Sequence, residues 1–516
     1  MRIFVPIYLL TSLAYSADYH VGPGQPLTQI GQVPWYTLRA GDTVYIHYRP
    51  EPYREKVLIS SRGTETKWIR VLGVHGPKGE RPIISGDGAL TSKNSHYRWR
   101  HATGDSAIQG SGIVQIAYRA GEGAPKPGYI EIANLQIQDG HAAYRFTAED
   151  GTPARYGDFC ACIYSRSADH LLIRDNALTN CGLGFYNWTG NDSRDLQTNT
   201  VLRGNYFHDN GIPGQYYEHA SYTESDRVTI EFNHFGRMKS GALGSQIKDR
   251  SAGTIVRYNY IEQPEGWSLD LVEPENGDPT LSSRPYFKQT WVYGNALLNI
   301  GTSNGPLLHW NEDHGAGKGR ADTGGTLFFY NNTVAVVRDE PEIWKFALFS
   351  VNSGGGSCTP STRGVIDARN NIWANLSRTP GANPPLMFFA ACGIENFVFG
   401  KNWVSPGWKH SFYREYSGRA TGTELFVSPK NNNPGFLDLF GKNLRLVPGS
   451  SAVGIGSNLA PEVTSNLLGL DLTPRLQYYY SGSSAPRAGF GPGSDAGAIE
   501  SEASRLGRAA TRSSLK

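Results

Sequence analysis

Four short segments concentrate the side chains that could do chemistry. EHASYTES carries His219 and Tyr222, and SQIKDRS carries Lys248, Asp249 and Arg250. WSLDLVEPE carries Trp267, Asp270 and Glu273, and PLLHWNEDHG carries His309, Trp310, Glu312, Asp313 and His314. Together they hold a potential base, cations able to neutralise an anion, and carboxylates able to pair for acid–base work. In a short strand successive side chains point to opposite faces. Ile247 inward puts Lys248 outward; Leu269 and Leu271 inward put Asp270 outward; Leu308 inward puts His309 outward. The spacing therefore predicts that His219, Lys248, Asp270 and His309 stack on one outer face. Tyr222, Arg250 and Asp313 should lie nearby, as should Glu273 and His314 as substrate contacts. Trp267 and Trp310 flank the column and offer flat faces on which a ligand ring could stack.

Such a column needs coils that repeat in register, and the sequence repeats around asparagine. Alternating apolar residues, then Asn, then an apolar pair recur at Asn134, Asn176, Asn205, Asn233, Asn259, Asn295, Asn332, Asn371 and Asn402. Successive asparagines lie 26 to 42 residues apart. His219, Lys248, Asp270 and His309 lie 11 to 15 residues after Asn205, Asn233, Asn259 and Asn295. Period-two alternation at a fixed repeat predicts the coils of a parallel β-solenoid. Asn tolerates the left-handed backbone of a tight turn, and stacked Asn side chains can form a hydrogen-bonded ladder. An antiparallel sandwich gives no reason for Asn at one register nine times. Coils farther on carry KFALFSVN and PLMFFAACG at the polar register, so the polar cluster is confined to about four coils.

The opening LRAGDTVYIHY and YREKVLISSRGTETKWIRVLGVHGPKGERPIISGDG resembles the first coils of right-handed parallel β-helix, pectate-lyase-like polysaccharide lyases. It is nearest the family of alginate lyases and chondroitinase B. The ending, NLRLVPGSSAVGIGS through GSDAGAIE, resembles the closing coils of secreted β-helix proteins. The resemblance implies an all-β, single-domain right-handed parallel β-helix and a carbohydrate-active enzyme. In that family a lysine on such a strand is the base and an arginine one coil later assists. Lys248 looks like that lysine; Asp270 stands where the arginine would be, and the family's calcium-binding carboxylates have no counterpart.

Composition agrees. The chain has 516 residues, a formal net charge of +3, 18% charged residues, 61 Gly and 30 Pro. This suits a turn-rich β protein, and the near-balanced charge argues against a nucleic-acid partner. Residues 1–16 read as an export signal, with apolar Ile3 to Leu13 and small residues before a cut after Ser16. No later run reaches transmembrane length. The protein is thus expected to be a monomer exported to the periplasm or cell exterior. Residues 17–500 are expected to form the solenoid and 501–516 a polar tail. Of five cysteines, Cys358–Cys392 suits a bridge, and Cys181 could pair with Cys160 or Cys162; no zinc motif is present.

The leading expectation is a lyase that cleaves a uronic-acid-containing polysaccharide by β-elimination, with Lys248 as base. Arg250 would neutralise the substrate carboxylate, and His219 or Tyr222 would be the acid. Should Asp270 hold Lys248 charged, Lys248 becomes a charge clamp and His219 or Tyr222 the base. The alternatives are a glycoside hydrolase pairing Asp270 with Asp313 or Glu273, and a non-catalytic carbohydrate-binding protein. No cofactor is required by any motif; a divalent cation such as Ca2+, held by His219, Asp270, His309 and Asp313, is left open.

Overall fold

Alternating apolar residues build each coil from three short strands, and each strand pairs with its counterpart in the next coil. Ala161–Arg166, Asp169–Arg174 and Ala177–Cys181 make one coil, and Leu183–Trp188 begins the next. Pairing is parallel and in register: Ile163 meets Phe185, Leu171 meets Thr200 and Leu178 meets Phe207. Repeated along the chain, this gives a right-handed parallel β-helix. Its three long sheets hold 13, 10 and 14 strands among the described residues, here sheets 1, 2 and 3. Each coil passes from sheet 3 to sheet 1 to sheet 2. The computed structural model describes residues 16–95, 109–117, 125–189, 196–262, 266–275, 279–300, 306–314, 317–337, 346–351, 361–376, 386–389, 394–411 and 419–501. The expected export signal, the polar tail beyond 501 and the Cys358–Cys392 bridge fall outside them. No helix among the described residues is long and apolar enough to cross a membrane.

The inward residues Ile163, Phe185, Val228, Ile247, Leu269, Leu308 and Trp310 share one continuous core with almost no exposure. Burying a large apolar side chain contributes about 1.5–3 kcal/mol, and one coil alone could not bury any of them. Cys181 pairs with Cys162 across 19 residues, while Cys160 is free and buried.

The asparagines sit at the turn from sheet 1 to sheet 2. Asn176 Nδ2 donates to Asn205 Oδ1 at 3.1 Å, and the chain of bonds continues through Asn233, Asn259, Asn295, Asn332 and Asn371 to Asn402. Each interior amide is saturated. Asn233 Nδ2 also donates to Leu202 O, and its Oδ1 also accepts from the Asn205 backbone N–H. Two expectations are corrected here. The left-handed residue is the one before the ladder asparagine: Asp175, Gly204, Phe232, Tyr258, Gly294, Asn331 and Asn370 have φ between 51° and 68°. The ladder asparagines are there for hydrogen bonding, and the position before them supplies the bend. Asn134 is itself in the left-handed position, with φ 63°. Leu135 holds the ladder register in its coil and gives its N–H to Asn176 Oδ1.

The last described strand of sheet 1 is Arg419–Thr421. Beyond it the chain forms two small antiparallel pairs, Phe436–Asp438 with Asn443–Leu446 and Leu476–Tyr478 with Ser484–Pro486, where closing coils were expected. This segment is a strap along the asparagine edge. Leu444, Leu446, Leu472 and Tyr478 bury Tyr258, Tyr260, Trp291, Tyr293 and Tyr330. Tyr260 and Tyr330 donate their hydroxyls to Lys442 O and Leu472 O, at 3.0 and 2.7 Å. The outer face of sheet 3, which carries the polar column, is on the other side of the coils.

Truncating a ladder asparagine should strand several buried groups at once. Asn233→Ala leaves the Asn205 amide, the Leu202 carbonyl and one Asn259 acceptor site without partners, each worth about 1–3 kcal/mol. We expect a loss on the order of 3–5 kcal/mol, read as a fall in the guanidinium unfolding midpoint. Asn134→Gly, off the ladder and at a left-handed position glycine accepts freely, should change the midpoint little. Equal effects at both positions would remove the ladder as the cause.

Candidate functional site

Sheet 3 sets the register of the site. Tyr164, Tyr186, Tyr222, Lys248, Asp270 and His309 are direct partners on consecutive coils. Their flanking residues Ile247, Leu269, Leu271 and Leu308 point into the core. The expected outward column is therefore present from Lys248 to His309, but Tyr222 takes the place expected for His219. His219 lies three residues earlier, before the strand Ser221–Thr223, and reaches the same groove from the turn. The groove has a volume of about 1110 Å³, and Lys248, Arg250, Asp270, Asp313, His314 and Glu275 line its charged end.

The charges there are tightly compensated. Lys248 Nζ donates to Asp270 Oδ2 at 2.6 Å and also to Asp313 Oδ2. Arg250 donates from Nη2 to Asp313 Oδ2 at 2.7 Å, from Nε to the Tyr222 hydroxyl at 2.8 Å and from Nη1 to Glu273 O at 2.8 Å. Tyr222 in turn donates to Glu275 Oε2 at 2.9 Å. Glu273 is buried and accepts from the backbone N–H groups of Asp313 and His314 and from the His314 ring. It fixes the turn that presents Asp313 rather than facing substrate. His309 is likewise a positioning residue: its Nδ1 lies 2.9 Å from Asp270 Oδ1 and its ring packs against Trp267.

Burial alone would raise both aspartates. Lys248 and His309 nonetheless hold the Asp270 carboxyl well below the ordinary range, and Lys248, His309 and Arg250 lower Asp313. Burial pushes the Tyr222 phenol well above 10, against the pull of Arg250, so it stays protonated at rest. Burial, then Lys248, brings the His219 imidazole down to about 3, so it is neutral at neutral pH. Its Nδ1 accepts the Ser245 backbone N–H at 2.9 Å. The ring proton of the neutral form is therefore on Nε2, and His219 offers a donor rather than a lone pair.

One further expectation, for Trp310, is corrected. Trp310 points inward, is fully buried and donates to Thr290 Oγ1, so it cannot stack on a sugar. Alternation around outward His309 already required this. Asp249 also points inward, where it forms a fully buried ion pair with Arg320 at 3.1 Å. Residues missed by sequence reasoning are Glu275 and the aromatic end of the groove, where Tyr164 and Tyr186 extend the Tyr222 column. Their outward alternation in ACIYSR and LGFYNW was the available signal. For a cation, Asp270, His309 and Asp313 bring ligand atoms within 4.8 Å of one another. The set does not fit calcium, which wants six or more oxygens. It holds one imidazole and two carboxylates, and Lys248 already bridges those carboxylates.

The His219 environment has a sign that can be measured. Its folded pKa is lowered from 6.5 to about 3, so its contribution to stability is full above the unfolded value and is lost as pH falls from 6.5 toward 3. The amount is on the order of a few kcal/mol. His219→Gln should lose less stability than wild type between pH 6.5 and pH 4, by denaturant midpoint at each pH. Parallel curves would mean a solvated imidazole.

No family model and no curated protein sequence matches the chain. Among solved structures, an alginate lyase from Paenibacillus is 15% identical, over 69% of this chain and 93% of that one, with a TM-score of 0.35. The pectate lyase Pel9A is 10% identical, over 95% of this chain and 98% of that one, with a TM-score of 0.38. A DFA-IIIase from Arthrobacter chlorophenolicus is 12% identical, over 79% of this chain and 87% of that one, with a TM-score of 0.36. At these values the likenesses assign no reaction to this chain.

Proposed function

We propose that the groove on sheet 3 is the active site of a carbohydrate-active enzyme that cleaves a uronic-acid-containing polysaccharide by β-elimination. The observation that carries this reading is the Tyr222 hydroxyl, held between Arg250 at 2.8 Å and Glu275 at 2.9 Å at the edge of the Lys248 cluster. Lys248 has two carboxylate partners and is a charge clamp rather than the base. His219 has no free lone pair. Tyr222 can take the C5 proton of a uronate while its own proton passes to Glu275, with Arg250 stabilising charge on the phenol oxygen. The C5–H electron pair becomes the C4–C5 double bond and the C4–O bond breaks. The leaving oxygen takes the proton that Glu275 has received, while Lys248 stays charged beside its two carboxylates. The substrate carboxylate competes with Asp313 for Arg250 and accepts from His219 Nε2–H.

Hydrolysis is the second reading, and one observation favours it. Asp270, Asp313, Glu273 and Glu275 outnumber Lys248 and Arg250, so a uronate finds no uncompensated cation among these residues. Asp313, with 24% of its side chain exposed, would be the accessible carboxylate of a pair with Asp270.

A screen of uronate-containing and neutral polysaccharides separates the two. Ultraviolet absorbance of a new conjugated double bond together with new reducing ends marks elimination; reducing ends without absorbance mark hydrolysis. On the substrate identified, Tyr222→Phe should cost on the order of 10²–10⁴ in turnover, and Lys248→Ala should fall similarly. Near wild-type turnover in Tyr222→Phe would end the proton-transfer role, and near wild-type turnover in both would move the site elsewhere.

A further inference from the structure

The groove has two chemically distinct ends. Toward the charged end lie Lys248, Arg250 and their carboxylates. Toward the earlier coils the lining is aromatic. Tyr164, Tyr186 and Tyr222 follow one another on three consecutive coils, with ring centroids 5.3 and 5.0 Å apart, the first pair tilted and the second edge to face. Trp188 lies one strand position pair beyond Tyr186 and also faces the groove. From neighbouring turns Phe159, Tyr216 and Tyr217 reach over this end, and they are 47%, 60% and 66% exposed. Three large aromatic side chains left partly in water on turns bordering one groove forgo up to roughly 1.5–3 kcal/mol of burial each, so the cluster has the character of a surface awaiting a ligand.

Charge narrows what that ligand can be. The described lining of the aromatic end contains no lysine or arginine, and its ionisable group besides the tyrosines is Asp158. Arg166, which shares a strand with Tyr164, has its guanidinium over the Trp188 ring at 4.3 Å and also bonds Tyr164. A carboxylate held against this end would meet Asp158 and, at the junction, Glu275. It would lose hydration and gain no cation from the described lining, and Arg166 behind it is already engaged by Trp188 and Tyr164. The apolar C–H faces of a neutral sugar ring suit flat aromatic walls, while tyrosine hydroxyls and Asp158 can bond its hydroxyls.

We infer that the aromatic end binds neutral sugar units, so that the substrate is a heteropolysaccharide whose reacting uronate at Lys248 and Arg250 adjoins neutral sugars. This rests on the reading of the groove as a polysaccharide-cleaving site. From Tyr164 to Asp270 the column takes four coil steps, about 19 Å at the spacing of neighbouring strands, the length of a few sugar units. A polymer of uronates alone would set a charge on every unit and place several against the aromatic walls.

The test is calorimetric binding of length-matched oligosaccharides to Tyr222→Phe, which keeps turnover low, and to the same protein carrying Tyr216→Ala and Tyr217→Ala. The mixed probe is de-esterified gellan, whose backbone joins a uronate to neutral sugars; the homopolymers are polymannuronate and polygalacturonate. Gellan fragments should bind at least tenfold tighter than either homopolymer. Removing Tyr216 and Tyr217 should cost tenfold or more on gellan fragments and leave the homopolymers unchanged. Both tyrosines are exposed, so the melting temperature should stay at the parent value. With the substrate that is cleaved, the same two substitutions in the wild-type background should raise KM and leave kcat intact. Equal or tighter binding of a homopolymer, or unchanged gellan affinity without the tyrosines, overturns the inference while leaving cleavage to stand. Tyrosine-dependent gellan binding with no cleavage of any polysaccharide by wild type would instead uphold the inference and overturn the proposed reaction. Binding of no polysaccharide at all would overturn both.

Discussion

The structure depends on one interaction, the asparagine ladder. A parallel coil can slip by one residue against its neighbour, and a slip of one turns every outward side chain inward. The ladder opposes this because each buried amide is bonded to the next coil and to the backbone carbonyl of the coil before it. A slipped coil would leave those groups unpaired in the interior. Lys248, Asp270 and His309 belong to three segments separated in sequence, and they meet because their coils are held in one register. The strap adds to this from outside, by sealing the aromatic residues beside the ladder.

The fold was legible because solenoid physics writes itself into the chain as a period. The same alternation that buries Ile247, Leu269 and Leu308 turns Lys248, Asp270 and His309 outward, so the core and the column were readable together. Reading failed where the signal was not periodic. Spacing from Asn205 places His219 in the column, but the coil from Asn205 to Ser221 contains a longer turn. The strand begins later, and Tyr222 falls into register. Asn134 fits the motif in sequence and misses the ladder register by one residue. Only backbone geometry separates the left-handed position from the bonded one beside it. The strap resembled closing coils because its apolar residues also alternate, though they cover the outside of the helix and not its interior.

Partnering was the other illegible quantity. Spacing put Asp270 and Arg250 on either side of Lys248 as competing influences and could not weigh them. Asp313 brings a second carboxylate to the same ammonium. It comes from a turn, where no strand rule places side chains, and Glu273 aims it at the same ammonium by holding the backbone N–H groups of residues 313 and 314. Glu275, absent from any sequence argument, is placed by its own backbone N–H bonding Glu224 Oε1. Turn residues thus supplied what changed the chemistry expected of the strand residues.

The compensated cluster also bears on how such a site can be rigid and still react. Two cations and several carboxylates buried together cost desolvation that pairing offsets only when every group is satisfied. Removing one member leaves its partners charged and unpaired, so the cluster behaves as one unit. An entering substrate anion can replace one carboxylate without breaking that balance, because it brings the same charge to the same donors. Among the carboxylates bonded to Lys248, Asp270 is 2% exposed and tied to His309, whereas Asp313 is 24% exposed and stands on a turn. The exchange is therefore least costly at Asp313. Ligand entry and charge compensation meet at that one side chain.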